Sequence, residues 1–228
     1  MRVRLSATAA GAAEDAADYV AARAVEAIEE QGQFVWAVSG GSTPGVFLAA
    51  LAQRDRVDWA RTHLFQVDER IAATGSADRN DTMIRKRFVD ARPEANYHPL
   101  PVVAESLTGA LIDHLTDLER LTGEPARLDL VQLGLGSDGH TASLVPGDPV
   151  LDATGDLATT ARYNGTRRVT MTAPLLNRAH ERLFLVTGES KDEALGLLAE
   201  RDTEIPASLI TERNTVLITD RAIDGFAD

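Results

Sequence analysis

Short runs of consecutive apolar residues recur along the chain, and segments with helical spacing separate most of them. FVWAVS (34–39), HLFQV (63–67) and LDLVQL (128–133) are almost wholly apolar, which is typical of strands buried on both faces. Alternation of such strands with helices predicts a mostly parallel sheet covered by helices on both sides. We therefore expect a single-domain, three-layer α/β/α sandwich formed by residues 1–228.

The other elements follow the same alternation. Further strands are expected at 168–172, 182–187 and 215–219. Helices are expected at 12–31, 45–53, 80–88, 105–121 and 190–200. Pro44 suits the first turn of the second helix, and Asn80 is placed to cap the third.

Composition excludes several classes of protein. The chain has 35 acidic and 23 basic residues, a formal charge of −12, and such a surface repels nucleic acid and anionic membranes. It has no cysteine, so disulfides and thiolate metal sites are excluded. No apolar stretch approaches the ~20 residues of a membrane helix, and MRVRLSATAAG lacks the apolar core of a signal peptide. We expect a cytoplasmic protein, monomeric or weakly dimeric, whose partner is a small molecule.

Polar loops directly follow four of the expected strands. They are SGGSTP (39–44), DER (68–70), GLGSDGH (134–140) and TGESK (187–191). In an open sheet of this class, ligands bind beyond the carboxyl ends of the strands. We therefore expect these four loops to form the functional site.

GLGSDG (134–139) has the glycine spacing of a dinucleotide-binding turn, but its context argues against that function. The dinucleotide motif needs a long helix that starts near the third glycine. Here Pro146, Gly147 and Pro149 would break a helix within two turns. The glycines instead favour a tight loop that presents Asp138 and His140.

Histidine suits proton exchange near neutral pH, and a carboxylate can fix its tautomer. The position of His140 in a glycine-rich loop at a strand end therefore favours a role in catalysis over that of a surface residue. Two interpretations of Asp138 stay open: it caps its own turn, or it orients the imidazole. The other four histidines lie in ordinary strand, loop or helix contexts.

SGGSTP places small residues between a strand and a helix start, where backbone amides and the helix dipole favour an anion. An ordinary turn capped by Ser42 or Thr43 is the alternative, and a P-loop is excluded because GxxxxGK[ST] is absent. Lysine favours phosphate binding: the chain has 21 arginines but only two lysines, and one of them, Lys191, lies in a strand-end loop. Arg168 could add a bidentate contact to the same anion.

Asp68, Glu69 and Arg70 follow an apolar strand without any polar transition, so we place them in the site rather than on a solvated surface. Other chemistries lack their motifs. The G-x-S-x-G of α/β-type serine hydrolases and the H-E-x-x-H of zinc sites are both absent.

These motifs, taken together, resemble those of the 6-phosphogluconolactonases. SGGSTP, VDER, GLGSDGHTASLVPG, RVTMTAPLLN and VTGESKDEAL occur in the order found in that family, and DGHTASLVPG is the most specific of them. The resemblance runs from the first predicted strand to IPASLI (205–210). Three features depart from the family pattern: Val145 stands where Phe is common, Arg79-Asn80 where Ser-Asn is usual, and Gly165-Thr166 where prolines are frequent.

The resemblance implies an α/β enzyme of the pentose phosphate pathway that hydrolyses 6-phospho-D-glucono-1,5-lactone. It implies that His140 is the general base, that Asp138 orients it and that Arg70 stabilises the oxyanion, with Asp68 also in the catalytic group. The residues implied to bind substrate are Gly40, Gly41, Ser42, Thr43, Gly139, Arg168 and Lys191. No metal or other cofactor is expected.

Two other functions stay open at this stage. One is the chemistry of the related glucosamine-6-phosphate deaminases, in which Asp68 and His140 would move protons on an opened sugar. That family typically has DEY and DGHIAFNEP where this chain has DER and DGHTASLVP. The other is a non-catalytic sugar-phosphate sensor, although the sequence has no basic patch through which such a sensor could bind DNA.

Overall fold

The computed structural model describes residues 1–223 and 225 of the chain. Its strands are β1 (Arg2–Leu5), β2 (Phe34–Val38), β3 (Thr62–Gln66), β4 (Asp68–Arg70), β5 (Asn96–His98), β6 (Leu130–Leu133), β7 (Leu157–Thr159), β8 (Arg168–Met171), β9 (Glu181–Val186) and β10 (Thr215–Thr219). Its α-helices are α1 (Ala9–Gln31), α2 (Ser42–Leu51), α3 (Asn80–Ile84), α4 (Leu107–Thr122), α5 (Ala173–Arg178) and α6 (Asp192–Ala199).

Seven strands form one parallel sheet in the order β1-β10-β9-β6-β2-β3-β5. From β2 the chain builds outward through β3 to β5, and then returns to place β6 on the other side of β2. The strand order therefore reverses between β2 and β6. Connections leave this point in opposite directions and open a crevice at the carboxyl ends of the two strands, where open α/β sheets bind their ligands.

Side chains alternate between two cores along each central strand. In β2, Phe34, Trp36 and Val38 pack toward α1 and α2, whereas Val35 and Ala37 pack toward α4, α5 and α6 on the other face. All five side chains are buried, which explains why the segment reads as a continuous apolar run. The predicted fold class, a three-layer α/β/α sandwich around a mostly parallel sheet, is confirmed.

A second, antiparallel sheet of the order β4-β8-β7 stands beyond the carboxyl edge of the first. The segment 168–172 was expected as a strand, and it is one, but it pairs with β4 rather than with the main sheet. The DER segment, expected as a loop, forms the strand β4 that pairs with β8. A strand of three residues is too short to show a pattern of alternating apolar and polar residues, so the sequence did not predict it.

The expected cap of the third helix is wrong. The N-cap position of α3 is Arg79, Asn80 is the first helical residue, and no side chain caps the helix from there. Instead the Glu69 carboxylate accepts from the amides of Asn80 and Asp81, both at 2.8 Å. The helix then continues as a π-helical turn over Arg85–Val89.

Three short strands, β1, β5 and β7, had no signal in the sequence, because none of their residues is fully buried and no continuous apolar run marks them. No α-helix of the described residues meets the length and apolarity that a bilayer span requires. The assignment of all 228 residues to one domain stays a prediction.

Candidate functional site

A cavity of about 190 Å³ opens at the crevice between β2 and β6. It is lined by residues of all four predicted loops. The predicted site residues that line it are Gly40, Gly41, Ser42, Thr43, Asp68, Arg70, His140, Arg168 and Lys191. The loop carrying SGGSTP and the loop carrying Lys191 are joined by a hydrogen bond of 3.1 Å between the hydroxyls of Thr43 and Thr187.

The loop after β6 turns back on itself to present His140. The Gly136 amide donates to the carbonyl of His140 at 2.7 Å, and the Gly139 amide donates to the carbonyl of Gly136 at 3.1 Å. A Cβ atom at Gly136 would lie 2.1 Å from Nδ1 of His140 and 2.4 Å from Oδ1 of Asp138. Position 136 therefore requires glycine, because the side chains of Asp138 and His140 occupy the space that a Cβ atom would take. Residues 141–148, directly after this loop, are not helical, so the long helix that a dinucleotide-binding turn requires is absent there.

Asp138 and His140 form a tight pair. Oδ1 of Asp138 lies 2.5 Å from Nδ1 of His140 and also accepts from the His140 amide at 3.3 Å. Burial raises the pKa of the Asp138 carboxyl, but the hydrogen bonds from His140 and Tyr163 outweigh burial, and the net pKa lies below its usual value. An ionised carboxylate at Nδ1 keeps a proton there, which leaves Nε2 of the neutral imidazole as the acceptor.

Arg70 and Arg168 lie directly opposite each other on β4 and β8. Arg168 is only 6% exposed, and burial together with the neighbouring charge of Arg70 lowers its pKa. Within the described part of the chain, Nε of each arginine is buried without a hydrogen-bond partner. Two facing guanidinium groups with unused Nε donors suit an anionic ligand, because a negative charge would offset both their mutual repulsion and their lost hydration.

Lys191 adds a third cation to the cavity. No carboxylate lies within ion-pairing distance of it in the described part of the chain. Burial lowers the pKa of its ammonium group, while the charge of Asp138 partly opposes that effect. Its loop is held by neighbours from the segment after β10: Asp220 accepts from the Gly188 amide at 2.9 Å, and Arg221 contacts Asp192 at 2.7 and 2.8 Å.

The first turn of α2 contributes backbone donors. Gly41 occupies its N-cap position with φ of 113°, and no side chain caps the helix. The alternative interpretation of SGGSTP, an ordinary turn capped by the side chain of Ser42 or Thr43, is therefore not what the structure shows. Uncapped amides at the positive end of a helix dipole favour an anion, so this wall of the cavity carries the same sign as the arginine pair.

Asp68 is buried and both of its carboxylate oxygens are engaged. Oδ2 accepts from the hydroxyl of Ser143 at 2.5 Å, and Oδ1 accepts from the side-chain amide, Nδ2, of Asn80 at 3.1 Å. The same Asn80 amide accepts from Arg70 at 2.8 Å through Oδ1. Asp68 thus lines the cavity while tying the His140 loop to β4.

Glu69, Asp138 and Gly139 do not line the cavity. Glu69 is fully buried beneath it, caps α3, and forms a 3.3 Å ion pair with Arg79, which explains how the unusual arginine at position 79 is accommodated. Asp138 reaches the site through His140. Gly139, with φ of 79°, packs against Ile205, and its predicted role in substrate binding has no contact with the cavity to support it.

Sequence reasoning missed Asn80 and Tyr163 as members of the candidate site, and it gave Gly136 no role beyond the turn of its loop. Gly136 and Asn80 line the cavity, and Tyr163 donates its hydroxyl to Oδ2 of Asp138 at 2.8 Å. The signal for Tyr163 was present in the Asn164-Gly165 dipeptide, which is typical of a two-residue β-hairpin turn and would have placed Tyr163 beside it. Asn80 had been interpreted only as a cap. Among residues 1–223 and 225, no group of three or more His, Asp or Glu side chains is arranged to hold a metal ion.

Known proteins resemble this chain over most of its length. Residues 7–219 match the family model described as glucosamine-6-phosphate isomerases/6-phosphogluconolactonase. A 6-phosphogluconolactonase of Synechocystis is 40% identical over 183 residues, which cover 78% of this chain and 76% of that protein. A 6-phosphogluconolactonase of Pseudomonas aeruginosa is 34% identical over 216 residues, covering 89% of this chain and 88% of that protein.

Solved structures share the fold over nearly the whole chain. A Neisseria gonorrhoeae protein superposes with a TM-score of 0.82 at 28% identity, covering 96% of this chain and 99% of that chain. The 6-phosphogluconolactonase of Thermotoga maritima gives a TM-score of 0.82 at 23% identity, with 96% and 98% covered, and at that identity it supports the fold alone. The chain therefore belongs to the glucosamine-6-phosphate isomerase/6-phosphogluconolactonase family.

Proposed function

We propose that this protein hydrolyses 6-phospho-D-glucono-1,5-lactone to 6-phospho-D-gluconate, a step of the pentose phosphate pathway. The observation that carries the proposal is one cavity in which an imidazole held by a carboxylate faces three cationic side chains. The imidazole is His140, and the cations are Arg70, Arg168 and Lys191. A substrate with a phosphate dianion at one end and an activated ester at the other fits both features.

In this mechanism His140 acts on water. Because Asp138 keeps the proton on Nδ1, Nε2 takes a proton from water as the oxygen bonds to C1 of the lactone. The C1–ring oxygen bond then breaks, and the imidazolium returns its proton to the departing alkoxide. Asp138 stabilises the imidazolium without being protonated itself, as in other carboxylate-oriented histidines.

The tetrahedral intermediate carries an oxyanion on the former carbonyl oxygen. Arg70 is the proposed partner of that oxyanion, since Asn80 and the backbone of Asp78 fix its guanidinium at 2.8 Å each. A donor whose position is fixed before the reaction stabilises developing charge without reorganisation. Arg168, Lys191 and the first turn of α2 would hold the phosphate, so that C1 lies beside His140.

A lactone is an activated ester, so the reaction requires little of the protein. General base catalysis is worth about 10²- to 10⁴-fold, and positioning adds to it. Neither a covalent nucleophile nor a metal is needed in this scheme. The expectation that the protein works without a cofactor stays a prediction.

A coupled assay on freshly generated lactone, corrected for spontaneous hydrolysis, tests the proposal. We expect the wild type to exceed the buffer rate by orders of magnitude, and His140→Ala to lose about 10²- to 10⁴-fold in kcat. Binding of 6-phosphogluconate, followed by thermal shift, should persist in that variant. His180→Ala is the matched control, because His180 is exposed and outside the cavity.

Two results would contradict the proposal. A wild type no faster than buffer would remove the lactonase activity. Wild-type turnover in His140→Ala would leave the activity but end the role of His140.

Deaminase chemistry on an amino-sugar phosphate is disfavoured by the environment of Asp68. That reaction would need Asp68 to move protons on an opened sugar, but Asn80 and Ser143 already donate to its two oxygens. Ammonia release from glucosamine 6-phosphate measures this alternative directly. We expect none above background.

A further inference from the structure

Tyr163 contacts three groups of the candidate site at once. Its hydroxyl donates to Oδ2 of Asp138 at 2.8 Å. The ring meets the imidazole of His140 edge-on, with centroids 5.6 Å apart and planes at 65°. The guanidinium of Arg168 lies over the ring face, 5.0 Å from its centroid. No other tyrosine of the chain reaches this set of residues in the described structure.

A tight hairpin holds Tyr163 in this position. The amide of Tyr163 donates to the carbonyl of Thr166 at 3.0 Å, and the reverse bond is 3.2 Å. Between them, Asn164 and Gly165 have φ of 49° and 83°, the conformation of a two-residue turn that favours Asn-Gly. The base of the hairpin is fixed by Thr160 and Arg168, whose backbones bond at 2.9 Å. The tyrosine is thus an ordered part of the site.

The two oxygens of Asp138 have separate partners. Oδ1 accepts from His140 and Oδ2 accepts from Tyr163, so the carboxylate cannot rotate without breaking one of these bonds. Burial, and then the hydrogen bond to Asp138, raise the pKa of Tyr163, which therefore stays protonated and keeps donating. A rotated carboxylate would let the imidazole take the wrong tautomer, with its proton on Nε2.

We propose that Tyr163 is a positioning residue, which acts through Asp138 to fix the tautomer of His140 and through its ring to seat Arg168. This inference rests on the proposed lactonase function. Tyr163 touches no reacting atom in this scheme. Its hydroxyl sets the rate of the proton transfer, and its ring sets the affinity for the anion.

Two substitutions separate these contributions. Tyr163→Phe removes only the hydroxyl, and we expect kcat to fall about 10-fold, since a hydrogen bond to a charged group is lost, with KM within about twofold of the wild type. Tyr163→Leu also removes the aromatic face beneath Arg168, and we expect KM to rise by a further factor of about five. The matched control is Tyr19→Phe, which removes a 2.7 Å hydrogen bond from a tyrosine to Glu181 far from the cavity.

The pH profile gives a readout that a merely structural role would not move. In Tyr163→Phe, Asp138 loses the donor that holds Oδ2, so its carboxylate can rotate and pairs less closely with the imidazolium of His140. We therefore expect the acid limb of kcat/KM to move downward by roughly half a pH unit. Nitrogen-15 NMR of histidine-labelled protein, with His140→Ala to assign the signal, should show less of the Nδ1–H tautomer in this variant.

Wild-type kcat, an unmoved acid limb and an unchanged tautomer in Tyr163→Phe would overturn the inference. An equal fall in Tyr19→Phe would overturn it as well, because the effect would then be general destabilisation. Lack of turnover in the wild type is a different result: it removes the proposed lactonase function, while the NMR measurement still decides whether Tyr163 fixes the tautomer.

Discussion

The Cα of Gly40 lies directly against the side-chain amide of Asn80. A Cβ atom at position 40 would fall 1.8 Å from Oδ1 and 2.1 Å from Cγ of that residue. The same amide accepts from Arg70 and donates to Asp68. The missing side chain at Gly40 therefore lets a single amide connect the loop after β2 to the charged residues of β4.

We expect Gly40→Ala to destabilise the protein and impair the site together. Asn80 is buried and bonded on both sides, so it cannot move aside without releasing Arg70 and Asp68. Overpacking of this kind costs about 1–3 kcal/mol. Urea unfolding measures the loss, and kcat/KM for the lactone should fall in the same variant.

Two controls test the cause. Gly196→Ala lies in α6 with no heavy atom near the added carbon, so it should leave activity unchanged and add roughly 0.5–1 kcal/mol of stability. In the background of Asn80→Ala, the atoms that collide are gone, and Gly40→Ala should cost far less. An equal cost in both backgrounds would show that the clash with Asn80 is not the reason.

Lys191→Ala should raise KM while leaving kcat nearly unchanged. In our scheme the lysine binds the phosphate throughout the reaction, so its loss weakens ground state and transition state alike. A hydrogen bond to a charged group is worth about 1.5–3 kcal/mol, which predicts a rise of roughly 10- to 100-fold in KM. Steady-state kinetics over a range of lactone concentrations measures both constants.

The chain provides a matched control in its only other lysine. Lys86 is exposed and lies outside the cavity, so Lys86→Ala removes the same charge without touching the site. We expect wild-type constants from it. If Lys191→Ala kept the wild-type KM, phosphate binding by Lys191 would have to be abandoned.

The sequence was a good guide to the main sheet because its strands are buried on both faces. β2 and β9 appear as apolar runs that no surface strand would show. The rule that ligands bind at the carboxyl ends then pointed to the four loops, and the cavity includes residues of all four. This inference needed only strand positions, which periodicity provides.

The second sheet could not be inferred in the same way. Its register places Arg70 opposite Arg168, two residues almost a hundred positions apart, and pairing over such a distance leaves no local pattern. Asn80 and Tyr163 were missed for a related reason. Asn80 contacts Arg70 and Asp68, and Tyr163 contacts Asp138, only because the fold brings these residues together. Neither residue belongs to a sequence motif that is typical of a functional site.

Three histidines lie together on the other side of β3, away from the cavity. His63 and His98 are joined at 3.1 Å, His98 stacks on Phe65, and His114 of α4 meets the same ring edge-on at 5.3 Å. Burial lowers the pKa of each, with His98 adding to the effect on His114. For His114 the pKa falls from 6.5 to about 4.

This cluster predicts that stability falls in mild acid. The unfolded chain binds a proton at His114 below pH 6.5, whereas the folded protein binds it only near pH 4. The free energy of unfolding therefore decreases as the pH falls from 6.5 to about 4. The lowered pKa values of His63 and His98 likewise reduce the free energy of unfolding as the pH falls. We expect His114→Leu to reduce the loss between pH 7.5 and pH 5 by about 1–2 kcal/mol in urea unfolding, since one pKa unit corresponds to about 1.4 kcal/mol. His180→Leu, at an exposed position, should keep the wild-type slope, and an equally steep loss in His114→Leu would rule out His114 as its source.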